Sequence, residues 1–85
     1  MQEFNYTITD ALGIHARPAG LLVKEAGRFQ SDVTIEKGGK SADAKKLFAL
    51  MGLGVKSGET VSIKIEGNDE NEATSAIKVF FADNL

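Results

Sequence analysis

The chain contains a single histidine, His15, and an arginine follows it two residues later as Arg17. Histidine changes protonation nearer to neutrality than any other unperturbed side chain, and a neutral imidazole is a good nucleophile toward phosphorus. An arginine at this spacing can hold phosphoryl oxygens through charge-assisted hydrogen bonds. The pair therefore predicts phosphoryl chemistry on His15, with Arg17 as its anion-binding partner.

Two other interpretations of His15 start from the same residues. A lone histidine near a helix start is more commonly a cap or a surface residue, and spacing alone leaves that interpretation open. A zinc site is less favoured, because one histidine and no cysteine leave only carboxylates to complete the ligand set. The sequence therefore predicts neither a metal site nor a cofactor.

The residues after His15 predict the first helix. Apolar residues recur there at helical spacing, at Ala19, Leu22, Val23, Ala26 and Phe29. Pro18 falls in the first turn, where its missing N–H costs nothing, so the helix should begin at His15 or Ala16. Unpaired N–H groups of Ala16 and Arg17 would then lie beside the imidazole, at the positive end of the helix dipole. This field favours a neutral, nucleophilic ring, and the same N–H groups could afterwards bind phosphoryl oxygens.

The rest of the chain predicts the elements that must position this site. Alternation of apolar and polar residues indicates three strands, near positions 3–9, 32–36 and 61–66, and a short further strand is expected at 40–43. Gly38-Gly39 predicts a hairpin turn, Ala44 to Met51 a short helix, and the segment after Asp69 a final amphipathic helix. Because every strand has one apolar face, the order βαββαβα favours an α+β fold with an antiparallel sheet and helices on one side.

Composition limits the classes of protein that remain. The 85 residues suffice for one small domain spanning 1–85, and a net charge of −2 argues against a general nucleic-acid binder. The absence of cysteine fits a reducing compartment. No apolar run could cross a membrane, and the first residues lack the pattern of a signal peptide. We therefore expect a cytoplasmic protein with no direct membrane insertion.

The segment Gly13-Ile14-His15-Ala16-Arg17-Pro18-Ala19 resembles the active centre of the histidine-containing phosphocarrier (HPr) family of the bacterial sugar phosphotransferase system. The likeness extends along the chain, through Lys24-Glu25-Ala26, Ser31-Asp32-Val33-Thr34, Gly39-Lys40, Ala44-Lys45, Leu53-Gly54 and Gly67-Asn68-Asp69-Glu70. It implies an open-faced β-sandwich, with four antiparallel strands and three helices, in which His15, Arg17 and Pro18 occupy the active-centre positions.

The resemblance also implies a reaction. Enzyme I, charged from phosphoenolpyruvate, would phosphorylate Nδ1 of His15, and the carrier would pass the group to EIIA domains of sugar permeases. Such a protein is a stoichiometric carrier rather than an enzyme, acts without a cofactor, and is usually a monomer.

Two positions depart from the family pattern. Lys46 stands where many HPr proteins have a serine that a dedicated kinase phosphorylates, so regulation through this position is in doubt while carriage at His15 is not. Leu12 stands where relatives often have a small polar residue, which predicts altered hydrogen bonding in the loop before Gly13.

A carrier also needs a surface for its partners. By the resemblance, this docking face comprises Gly20 and Leu21 beside His15 and Leu47, Phe48 and Met51 on the second helix. We expect Arg17, Lys24, Lys45 and Lys46 to form a basic rim around it that attracts acidic partners. The alternative is that the apolar members belong to the core and the lysines are solvent-exposed residues with no role in binding. Ala44 and Leu50 are expected to face the core.

Two further functions are compatible with the fold. A regulatory HPr paralogue would be phosphorylated at His15 without feeding sugar transport. A purely structural ligand-binding α+β domain would make the active-centre motif a coincidence.

Overall fold

A computed structural model describes residues 1–85, which form four strands and three helices. In chain order these are β1 Gln2–Thr7, α1 Ala16–Ala26, β2 Asp32–Lys37, β3 Lys40–Asp43, α2 Leu47–Gly52, β4 Thr60–Glu66 and α3 Glu70–Asn84. The predicted order βαββαβα is confirmed. None of the three helices combines the length and the hydropathy that a membrane span requires.

The strands form one antiparallel sheet in the order β1-β4-β2-β3. Alternate residues of β2 and β4 point into the core, where Val33, Ile35, Val61, Ile63 and Ile65 are buried. The residues between them face the open side of the sheet, where the Lys64 ammonium lies 3.3 Å from the Glu36 carboxylate. Helices on one face and solvent on the other confirm the expected open-faced α+β sandwich.

The third helix closes the core over the edge strand β1. Phe81 is fully buried, and its ring meets Tyr6 and Phe4 of β1 edge-on, with centroid distances of 5.3 and 6.1 Å. These aromatic contacts hold β1 and α3 together, so the loop that leaves β1 toward His15 starts from a fixed position.

The second helix is shorter than predicted. It begins at Leu47 rather than Ala44, because Asp43 organises a turn first: its side chain accepts a hydrogen bond from the Lys45 N–H, and its carbonyl one from the Lys46 N–H. Ala44 is buried and donates its N–H to the Val33 carbonyl. Strand pairing thus continues through Ala44 and delays the helix.

Candidate functional site

A glycine turn fixes the backbone that leads into His15. Gly13 has φ +69°, and a Cβ there would collide with the Val55 carbonyl oxygen and lie 2.8 Å from Lys56 Cα. The next residue, Ile14, is buried and donates its N–H to the same Val55 carbonyl at 3.1 Å. The approach to His15 is therefore attached to the segment that follows α2, and only glycine fits the turn.

His15 is the N-cap residue of α1, with extended backbone angles, and its imidazole makes no cap hydrogen bond. The first main-chain bond of the helix runs from the Ala19 N–H to the His15 carbonyl at 3.0 Å. The N–H groups of Ala16 and Arg17 have no acceptor within the chain, and Pro18 has no N–H to offer. The helix start agrees with the prediction, and two donors remain free beside the imidazole.

An open cavity of about 290 Å³ adjoins the imidazole, and its lining consists of Asp10, His15, Arg17, Pro18, Leu21, Asp83 and Asn84. The His15 side chain is 35% exposed, so a partner can reach it. Arg17 is exposed, and its guanidinium takes part in no ion pair. The structure thus brings four predicted residues to one cavity, with Arg17 free to bind an anion.

Asp10 is a site residue that sequence reasoning missed. Its carboxylate Oδ2 lies 3.7 Å from Nε2 of His15, yet in the sequence it appears only as part of the break after the first strand. Asp83 and Asn84, near the end of α3, also line the cavity without any sequence signal. Such residues are recognised only once the folded structure shows which side chains meet at the cavity.

The apolar residues predicted for docking differ in exposure. Phe48 is 86% exposed, Leu21 42% and Met51 40%, whereas Gly20 and Leu47 are half-buried and Leu47 packs against the core. The two residues expected in the core, Ala44 and Leu50, are fully buried. Phe48, Leu21 and Met51 therefore form the accessible part of the predicted face, and Leu47 serves the core as well.

The three lysines predicted to rim this face lie away from His15. Lys24 is in the last turn of α1, about 12 Å along the helix axis from its start. Lys45 donates from Nζ to the Phe29 carbonyl, just past the end of α1, at 2.9 Å. Lys46 is exposed at the N-cap of α2. Positive charge therefore gathers where α1 ends and α2 begins, while Arg17 is the cation beside His15.

Fold and site together define a small α+β protein that presents one accessible histidine at an uncapped helix start. The family model described as the PTS HPr component phosphorylation site matches residues 2–83. The chain is 41% identical over 78 residues to phosphocarrier protein HPr of Mycoplasma capricolum, covering 92% of this chain and 88% of that one. It is 50% identical over 68 residues to the HPr-like protein Crh of Halalkalibacterium halodurans, covering 80% and 81%.

Solved structures agree with these relatives. The histidine-containing phosphocarrier protein of a Mycoplasma superposes with a TM-score of 0.94 at 39% identity, covering 96% of this chain and 93% of that one. Crh of Bacillus subtilis, described as a domain-swapped dimer, gives 0.78 at 38% identity, covering 100% and 98%. The chain belongs to the HPr family of phosphocarrier proteins.

Proposed function

We propose that this protein carries phosphoryl groups in the sugar phosphotransferase system, accepting them on Nδ1 of His15 from phospho-enzyme I and donating them to EIIA domains of sugar permeases. The observation that carries the proposal is an accessible His15 at a helix start that has no side-chain cap and two free N–H groups. The chain around it matches the HPr phosphorylation-site family from residue 2 to 83.

The transfer needs only groups that the two proteins supply. The Nδ1 lone pair of His15 attacks phosphorus, the bond that holds the phosphoryl group to the donor protein breaks, and its electron pair stays on the donor atom. The Ala16 and Arg17 N–H groups and the Arg17 guanidinium bind the phosphoryl oxygens. Donation to EIIA reverses these steps. The protein is therefore a stoichiometric carrier that its partners charge and discharge, with no cofactor.

The docking face of this proposal comprises Gly20, Leu21, Leu47, Phe48 and Met51, with Phe48, Leu21 and Met51 making direct contact because they are the exposed members. Lys24, Lys45 and Lys46 would attract acidic partners to its edge. We propose a cytoplasmic monomer as the working form, since β1 pairs along its full length with β4 of its own chain and Phe4 and Tyr6 pack on its own Phe81.

Incubation with enzyme I and phosphoenolpyruvate tests the proposal. We expect an acid-labile, base-stable phosphate that is absent in His15→Ala, a variant that should fold because the His15 side chain is partly exposed and makes no cap bond. The absence of label on the wild-type chain would contradict the proposal.

A second candidate is a regulatory paralogue that is phosphorylated at His15 without feeding permeases. The 50% identity to Crh favours it, whereas Lys46 argues against control by a serine kinase at that position. Adding EIIA to the labelled protein separates the two candidates, because onward transfer supports the carrier and a retained label supports the regulator.

A further inference from the structure

Asp10 faces the side of the His15 ring opposite to the reacting nitrogen. Its Oδ2 lies 3.7 Å from Nε2, slightly beyond a hydrogen bond, and His15 is its only partner of potentially positive charge. Nδ1 is bonded to Cγ, so it lies nearer than Nε2 to the backbone of His15 itself. The two nitrogens therefore meet different surroundings.

The main chain holds Asp10 in this position. Its other oxygen, Oδ1, accepts the Leu12 N–H at 2.9 Å, and its carbonyl accepts the Gly13 N–H at 2.9 Å. Its own N–H donates to the Leu85 carbonyl oxygen at 3.0 Å. Both the backbone and one carboxylate oxygen are thus fixed, and Oδ2 is left free to face the imidazole.

We propose that Asp10 is a positioning residue that selects the Nε2–H tautomer of His15 and so leaves the lone pair on Nδ1. An ionised carboxylate only accepts hydrogen bonds, so it favours an N–H rather than a lone pair opposite it. In a neutral imidazole, a proton on Nε2 leaves Nδ1 as the nucleophile.

The same contact has two consequences for phosphoryl transfer, which rest on the proposed function. A phosphoryl group on Nε2 would bring its negative oxygens against the Asp10 carboxylate, which disfavours attachment there. When Nδ1 bonds to phosphorus instead, the ring keeps its Nε2–H and becomes positively charged. Asp10 then faces that charge and stabilises it until the proton or the phosphoryl group leaves.

The ¹⁵N spectrum of the imidazole tests the tautomer directly, and the single histidine gives one unambiguous pair of resonances. At a pH where the ring is neutral, the wild-type chain should show a protonated Nε2 and an unprotonated Nδ1. In Asp10→Asn the amide oxygen can keep the Leu12 N–H, so the amide N–H₂ replaces Oδ2 and faces the ring. Both resonances should then shift toward the Nδ1–H tautomer.

The transfer rate gives a second readout. Acceptance of the phosphoryl group from phospho-enzyme I should slow about tenfold in Asp10→Asn, because one charge-assisted contact is lost.

Asp43→Asn is the matched control. Asp43 makes the same local turn, with its Oδ1 accepting the N–H two residues on at 2.9 Å, but it follows β3 and makes no ion pair with His15. It should leave the ¹⁵N pair unchanged. The proposal is overturned if Asp10→Asn leaves both resonances at their wild-type positions, or if the wild-type ring already carries its proton on Nδ1. A wild-type chain that enzyme I never labels would reject the proposed function alone, because the tautomer is measured without transfer.

Discussion

Arg17 is the only cation that lines the cavity beside His15, and the fold gives it no carboxylate partner. Arg17→Ala should therefore leave the free energy of unfolding within about 0.5 kcal/mol of wild type. It should slow phosphoryl acceptance roughly 100-fold, as expected when a donor to the transferring group is lost. Chemical denaturation and single-turnover transfer from phospho-enzyme I measure the two effects.

The other arginine of the chain provides the control. Arg28 pairs with Glu25 at 2.7 Å and lies over the Phe29 ring, beyond the opposite end of α1. Arg28→Ala should leave the transfer rate unchanged while it removes these local contacts. Equal rates for Arg17→Ala and wild type would show that the main-chain N–H groups suffice.

At this scale the sequence predicted the residues that are local to one motif and missed those that are not. His15, Arg17 and Pro18 lie within four positions, so their common place at a helix start followed from spacing. Asp83 and Asn84 reach the cavity from the far end of the chain. Asp10 precedes the motif, but its meeting with Nε2 depends on the turn through Gly13, which spacing does not specify.

Among the elements, the Gly13 turn sets the start of α1. Gly13→Ala should destabilise the fold by roughly 1–3 kcal/mol or more, because a Cβ would both strain the positive φ and meet the Val55 carbonyl. Because His15 follows two residues later, transfer should slow as well. Denaturation curves and transfer rates measured on one preparation test this expectation.

Gly54→Ala is the control that separates the backbone strain of a positive φ from the steric collision expected at Gly13. Gly54 has a similar φ of +61°, but a Cβ there would meet nothing within 4 Å. It should therefore show only the cost of the backbone conformation. If the two variants are equally stable, the close approach to Val55 is not what demands glycine at position 13.

Asp69, the N-cap residue of α3, makes the free energy of unfolding depend on pH in the acid range. The Ser31 hydroxyl and then the Gln30 N–H donate to Asp69 and hold the pKa of its carboxyl below the ordinary value. Asp69 therefore contributes stability above about pH 4, and this contribution is lost as the pH falls through the lowered pKa. Asp69→Asn should flatten the fall in the free energy of unfolding between about pH 5 and pH 2.

Ser31→Ala should flatten the same acid limb in part, because it removes the largest cause of the shift in the Asp69 pKa. Part of the slope should remain in both variants, since the pKa values of Glu59 and Glu70 are also lowered, by Lys37 and by the Met1 ammonium. If the free energy of unfolding falls with equal slope below about pH 5 in wild type and Asp69→Asn, Asp69 does not contribute to the acid dependence.

The element order was predictable because the three longer strands alternate apolar and polar residues and each longer helix has its own apolar stripe. The start of α2 was not predictable from the sequence, because an alanine at position 44 fits a helix and a buried position before the helix equally well. Its N–H bonds to Val33 across the sheet, and the Asp43 turn follows. Helix propensity in a six-residue element is weaker than these tertiary contacts.

Across the whole molecule, Phe48 is the most exposed large apolar side chain. Phe48→Ala should leave the free energy of unfolding within about 0.5 kcal/mol of wild type, yet weaken binding to enzyme I and EIIA by about 1–3 kcal/mol if this ring anchors the docking face. Val79→Ala is the matched control, since Val79 is 61% exposed on α3. Calorimetric titration that gives the same affinity for both variants would remove Phe48 from the interface.

Positive charge is concentrated near the start of α2 in this mildly acidic molecule, and substitution of Lys46 tests whether that charge strengthens binding to a partner. Lys46 lies exposed at the N-cap of α2 with no ion pair, so Lys46→Glu should not destabilise the helix, whose positive end accepts an acidic residue well. It should weaken binding to an acidic partner about two- to fivefold at low salt, and added salt should shrink the difference by screening.

Lys40→Glu makes the same change of net charge on β3, at a residue that is also exposed and unpaired. If local steering at the start of α2 matters, Lys46→Glu should slow association with the partner more than Lys40→Glu does. Equal rates would assign the effect to net charge, and an unchanged affinity of Lys46→Glu at low salt would show that the basic rim does not contribute to docking.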